Sequence, residues 1–159
     1  MKFEWNDSLS IDGGVIDEDH KFLIVKIFEL LDCVRQKEEK ELILEKLNVI
    51  RIFAKEHFRR EEALQQAAGF DDHERHKGCH SNLLDMLMFN TRRILIDYSC
   101  NDNGESMERR LQAIEKFMYK WLIQHIQVED TRMKPYVSAM RERAGKMSPL
   151  MKFVHKLVA

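Results

Sequence analysis

The chain has 159 residues, 44% hydrophobic and 33% charged, which suits one soluble globular domain with a core of its own and excludes a disordered chain. Lys+Arg (26) and Asp+Glu (27) nearly cancel, so a general nucleic-acid surface is excluded. No run approaches the roughly 20 apolar residues of a membrane span.

Helical periodicity recurs along the chain, and residues 17–134 carry no proline to interrupt it. The first predicted helix covers 18–36, with His20, Leu23, Ile24, Ile27, Phe28, Leu31 and Val34 on one stripe and Asp17 as its expected N-cap. The second covers 40–67, with Leu47, Ile50, Phe53, Ala54, His57, Phe58 and Glu61 along one face and Gly69 as the stop signal. The third covers 72–98, with His76, His80, Leu83, Leu84, Leu87 and Ile94 in register, and is punctuated by NDNG at 101–104. The fourth covers 105–130, with Leu111, Ile114, Phe117, Met118, Trp121, Leu122, His125 and Ile126. No segment alternates as a strand does. The expected fold is all-α, an up-down antiparallel four-helix bundle with an N-terminal loop and a C-terminal helical extension.

Beyond the bundle, Gly145 and Ser148-Pro149 break the tail. A short last helix with Met151, Val154, Leu157 and Val158 on one stripe is expected there. It would pack on the bundle or on a second subunit, or else serve a membrane surface or a protein partner. Cys33, Cys79 and Cys100 show no metal-type Cys-x-x-Cys spacing, and MKFEWNDSLSIDGG has no apolar leader region. Both point to reduced thiols and a cytoplasmic protein.

Polar residues interrupt the apolar stripes where leucine would cost less. His20 opens the first, His57 and Glu61 stand four apart on the second, His76 and His80 four apart on the third, and His125 continues the fourth. An i, i+4 pair is only about 40° apart around a helix, so each pair shares a face. A buried imidazole or carboxylate is costly unless paired or metal-bound. Five imidazoles and a carboxylate exceed one tetrahedral zinc site and suit two metals in a bundle core, iron before others. A second carboxylate is needed. Spacing favours Glu129, about 40° from His125, over Asp130 at about 140°. Asp130 could reach the site only if the helix distorts or ends, which Pro135 permits. His73 is read as a surface or capping residue, Glu62 as a surface charge and Cys79 as a packed thiol. His155 receives no role.

The pieces IDEDHKFL (16–23), EHFRREE (56–62), HKGCH (76–80) and KWLIQHIQVED (120–130) together resemble the hemerythrins, most closely the single-domain bacterial kind, the bacteriohemerythrins. That pattern runs His, His-x-x-x-Glu, His-x-x-x-His, His-x-x-x-x-Asp, and it covers residues 3–137, leaving 138–159 as an extension. An aromatic near the start, Trp5, also fits. The resemblance implies two non-haem irons, bridged by Glu61, Asp130 and a solvent-derived oxo or hydroxo group. It places His76, His80 and His125 on one iron and His20 and His57 on the other, which keeps an open position for O2. It also implies Asp130 rather than Glu129 as the second carboxylate. An O2 pocket would be walled by Leu23, Phe58, Trp121, Leu122 and Ile126. The implied activity is reversible O2 binding for transport, storage or delivery, without catalytic turnover, in a monomer or homo-oligomer. The alternatives are O2 or redox sensing through the tail, reduction of NO or peroxide, and iron handling. Three features depart from the pattern or vary within it. Phe70-Asp71 stands where Tyr-Pro is common, and Met133 replaces a tyrosine, with Tyr136 following. The 44 residues between His80 and His125 are closer to the bacterial type.

Overall fold

All four periodic segments become helix, because each carries an apolar stripe that only a facing helix can cover. The computed structural model describes residues 4–99 and 107–146. A 3-10 turn at Asp7–Leu9 leads into α1 (Val15–Gln36), α2 (Lys40–Ala68) and α3 (His73–Ser99). The fourth arm is broken into α4 (Met107–Met118), a π-helical stretch at Tyr119–Gln124, α5 (His125–Val128) and a 3-10 turn at Asp130–Met133. A further helix, α6 (Lys134–Lys146), follows and runs through residue 137. The described residues hold no strand, and the arrangement is an all-α up-down four-helix bundle. Among the described residues, no helix is long and apolar enough to cross a membrane. Cys100, the turn at 101–104, His155 and the stripe of Met151, Val154, Leu157 and Val158 lie outside the described residues.

The connections are short because the first two helices stop cleanly. Gly69 takes a left-handed φ of 74°, and the amides of Gly69 and Phe70 bond back to Gln66 and Gln65 at 3.1 and 2.9 Å. Lys37 does the same at the end of α1 with a φ of 57°. The start of α1 differs from expectation. Gly14 is its N-cap, and Asp17 sits inside the first turn. From there the Asp17 carboxylate turns back on the loop, accepting from the Ile11 amide at 2.7 Å, the Gly13 amide at 2.8 Å and the Ser10 hydroxyl at 2.5 Å. Asp12 covers the exposed helix amides instead, accepting from Gly14 at 2.9 Å and Asp17 at 3.2 Å.

Two apolar clusters form the interior. The larger joins Leu23, Ile27 and Leu30 of α1, Leu47, Ile50 and Phe58 of α2, and Trp121, Leu122 and Ile126 of the fourth arm. The smaller joins Ile11, Ile16, Ala68, Phe70, Met133 and Val137, where α6 folds back over the end of α2 and the N-terminal loop. Phe58 of the first cluster stacks on His80, and Phe70 of the second meets His76 edge-on. The polar residues of the bundle are therefore held between two apolar plugs.

The Asp17 lock ties the N-terminal loop to α1 one turn before His20. Burial opposes its charge, but the amides of Ile11, Asp12 and Gly13 and the Ser10 hydroxyl together hold the carboxyl below its usual range. A depressed folded pKa stabilises the fold above the unfolded carboxylate range, and that contribution is lost as pH falls through the folded value. Asp17→Asn is expected to cost roughly 2 kcal/mol at neutral pH and to flatten the acid limb of stability. Urea unfolding across pH measures both.

Candidate metal centre

The four arms bring seven side chains to one level: His20 from α1, His57 and Glu61 from α2, His76 and His80 from α3, and His125 and Asp130 from the fourth arm. His20, Glu61, His76 and Asp130 are fully buried, and even His125 is only 8% exposed. Their donor atoms fall into two groups, His76/His80/His125/Asp130 and His20/His57/Glu61, with the atoms of each group within 4.8 Å of one another. Each carboxylate faces both groups. Glu61 sets one oxygen 3.2 Å from His76 Nε2 and the other 3.4 Å from His57 Nε2. Asp130 sets Oδ1 2.9 Å from His125 Nε2 and 3.3 Å from His76 Nε2, and Oδ2 3.4 Å from His20 Nε2.

This arrangement fits a bound cation pair better than a set of internal hydrogen bonds. Among the described residues, eight buried side-chain nitrogens and oxygens lack a hydrogen-bond partner, and all belong to His20, His57, Glu61, His76, His125 and Asp130. Six of them, Nε2 of His20, His57 and His125 and oxygens of Glu61 and Asp130, face one another across the centre. Orphaned groups of this kind cost roughly 1–3 kcal/mol each when buried. The protonation pattern also calls for positive charge. Burial works against the imidazolium of His76, yet the carboxylates of Asp130 and Glu61 outweigh it and lift its pKa to about 10. Burial and the charge on His76 then push neighbouring His80 down to about 2. His20 is raised because Asp130 outweighs its burial, and the converging imidazoles hold Asp130 well below the usual carboxylate range despite its own burial.

Around the seven stands a ring of supporting contacts. His57 Nδ1 lies 3.3 Å from Asp19, which also accepts from Arg60 at 2.7 Å. His80 Nδ1 lies 2.9 Å from Glu62. Gln65 donates to Glu61 at 3.0 Å and meets His73 at 3.0 Å. These partners orient imidazoles and carboxylates that are otherwise free to turn. Glu62 is thus half-buried support for His80 and not a surface charge, and His73 stands outside the seven but inside this ring. Sequence reasoning passed over Gln65, although it lies four residues after Glu61 on the same stripe. Asp19 and Glu62 adjoin site residues in sequence and carry no separate periodic signal.

The choice between Glu129 and Asp130 is made by the backbone. α5 ends at Val128, and Glu129, with φ stretched to −105° within the right-handed region, joins it to a tighter 3-10 turn at Asp130–Met133. Glu129 faces outward to Arg75 and Arg132, and both arginines also hold Asp72, each at 2.7 Å. With Glu129 pinned at the surface, Asp130 turns inward and is fully buried. Within the π-helical stretch just before His125, Trp121, Leu122 and Ile123 are buried in succession.

The remaining wall is apolar. Leu23, Phe58, Trp121, Leu122 and Ile126 are all buried in the larger core. The Phe58 ring lies parallel to His80 at 4.1 Å, and the Trp121 indole N–H donates to the Leu83 carbonyl at 2.9 Å. Trp5 approaches His20 at 6.4 Å between ring centroids, with Lys21 Nζ 5.1 Å from the indole.

A family model described as the hemerythrin HHE cation binding domain matches residues 14–137. Among similar proteins, a bacteriohemerythrin of Pseudomonas paraeruginosa is 30% identical over 144 residues, covering 90% of this chain and 84% of the relative. A bacteriohemerythrin of Pseudomonas aeruginosa is 29% identical over the same shares of both chains. Hemerythrin subunit alpha of Lingula anatina is 25% identical over 132 residues, covering 83% of this chain and 92% of the relative.

The two neighbouring carboxylates separate cleanly by substitution. Asp130→Asn is expected to weaken metal retention at least tenfold, whereas Glu129→Gln keeps it and loses only a surface ion pair. Elemental analysis after dialysis measures this, and the reverse order would move the carboxylate role to Glu129.

Proposed function

The chain belongs to the hemerythrin family, and from that premise we propose that it binds O2 reversibly at a pair of non-haem irons. His76, His80 and His125 would hold one iron and His20 and His57 the other, with Glu61 and Asp130 bridging them. The observation that carries this reading is the pair of fully buried carboxylates, each facing imidazoles of both donor groups. The count leaves the His20/His57 position one protein donor short of its neighbour, and O2 is assigned to that position. Iron supplies the reversible electron donation that O2 binding requires.

The protein's own part is to orient and to exclude. Asp19 and Glu62 accept at the outer ring nitrogens of His57 and His80, which fixes each ring with Nε2 turned inward. Leu23, Phe58, Trp121, Leu122 and Ile126 carry no ionisable group. The one polar atom among them, the Trp121 indole nitrogen, is committed to Leu83. Such a wall keeps water and protons from a bound O2 and so favours its release over its reduction. This favours a carrier, store or delivery protein over an enzyme that must move protons at each turnover.

The reduced protein is expected to hold about two irons per chain. Its visible absorption should change on adding O2 and revert when O2 is removed. Rapid irreversible oxidation in place of reversion would contradict the proposal. His57→Ala and His80→Ala should each lose iron and lower thermal stability, because binding metal couples to folding. Full iron content in both variants would contradict the ligand assignment.

A further inference from the structure

One hydrogen-bonded chain reaches the site from near the surface, and the chemistry of its ends fixes its direction. Gln65 is fully buried, with its amide nitrogen 3.0 Å from Glu61 Oε1. A carboxylate only accepts, so the NH2 of Gln65 faces Glu61 and its carbonyl oxygen faces away. That oxygen lies 3.0 Å from His73 Nδ1. A carbonyl also only accepts, so Nδ1 of His73 carries the proton. Nε2 is then left to accept from the Gln66 amide at 3.1 Å. Glu74, 3.9 Å from Nε2, is too far to compete. The Met133 sulfur, 3.7 Å from the Gln65 nitrogen, is a weak second acceptor. Three N–H bonds therefore run in one sense, from Gln66 to His73 to Gln65 to Glu61.

Resting on the iron-binding reading above, we propose that Gln65, held in place by His73, is a positioning residue that sets the donor strength of Glu61 toward the metal pair. The amide fixes how the carboxylate is turned and draws electron density from one of its oxygens. Hydrogen bonds aligned in series polarise one another, so His73 strengthens the effect from a distance. A carboxylate favours ferric over ferrous iron, and a less basic one does so less strongly. Gln65 thereby favours the reduced state, in which O2 can bind. Its sense is opposite to that of Asp19 and Glu62, which face imidazole nitrogens and make His57 and His80 stronger donors. The site thus carries two electron-enriching contacts and one electron-withdrawing contact.

The test is a redox titration of the iron-loaded full chain as wild type, Gln65→Leu, His73→Leu and His73→Gln, with iron content measured beside it. The midpoint potential should fall most in Gln65→Leu and less in His73→Leu, and return toward the wild-type value in His73→Gln, which restores an N–H donor. A purely structural role would lower thermal stability or iron content without producing this order, and that result overturns the inference. If Gln65→Leu fails to fold or to take up iron, the two variants at His73, near the rim, decide alone. Equal potentials in them overturn the inference, and the predicted order supports it. A wild-type chain with no redox-active iron pair overturns the functional reading and this inference with it. A normal pair whose potential ignores both residues overturns the inference alone.

Discussion

Glu61 and Asp130 are carboxylates with no access to solvent, in the middle of a helical bundle. Removing such a charge from water costs several kcal/mol even after the protein relaxes, so each must meet positive charge. Five imidazoles converge on them, but protonating imidazoles is a poor answer at this density. Burial, together with charge on His76, whose pKa rises to about 10, drives His80 down to about 2. A pair of cations compensates both carboxylates and leaves every imidazole neutral and able to donate a lone pair. The requirement acts on the whole fold, because the seven residues come from all four arms. Each arm must present its donors at one height, so the register of every helix is fixed by the same centre.

The rest of the molecule divides into what steadies that centre and what shields it. On the polar side, Asp19, Glu62 and Gln65 hold the rings and a carboxylate in place, and the quartet Asp72, Arg75, Glu129 and Arg132 ties α3 to the turn that delivers Asp130. On the other side lie Leu23, Phe58, Trp121, Leu122 and Ile126, which bring bulk and no titratable group. The distribution supports the O2-binding proposal: polar contacts behind the rings and carboxylates, and an apolar wall in front. α6 and the N-terminal loop close the far end through Phe70, Met133 and Val137.

Much of this was legible in the sequence, for a definite reason. A helix stripe is a repeating signal, and His57/Glu61 and His76/His80 sit on it at i, i+4, so the helices and six of the seven converging side chains follow from periodicity and residue chemistry. Asp130 does not. Ideal geometry points to Glu129, and what reverses the choice is a local break at Glu129, together with two arginines from different elements that hold it outside. Family resemblance implied Asp130, and single-residue spacing could not. The supporting ring was mostly invisible for the same reason. Glu62 reads as a surface charge because it neighbours Glu61, and His73, though in register with His76 and His80, stands at the first position of α3 and so reads as a cap. Their roles depend on which residues of another helix they meet. Asp17 shows a smaller version of the problem: it is expected as the N-cap of α1, but it sits inside the first turn and secures the preceding loop, while Asp12 accepts from the first helix amides.

The central claim is that two buried carboxylates join a pair of irons in one centre. Mössbauer spectroscopy of the oxidised protein, reconstituted with iron-57, addresses it directly. Two irons linked by such bridges are expected to couple their spins, giving quadrupole doublets without magnetic splitting at low temperature and in weak field. A magnetically split signal from isolated high-spin ferric iron, accounting for all the bound metal, would contradict the account.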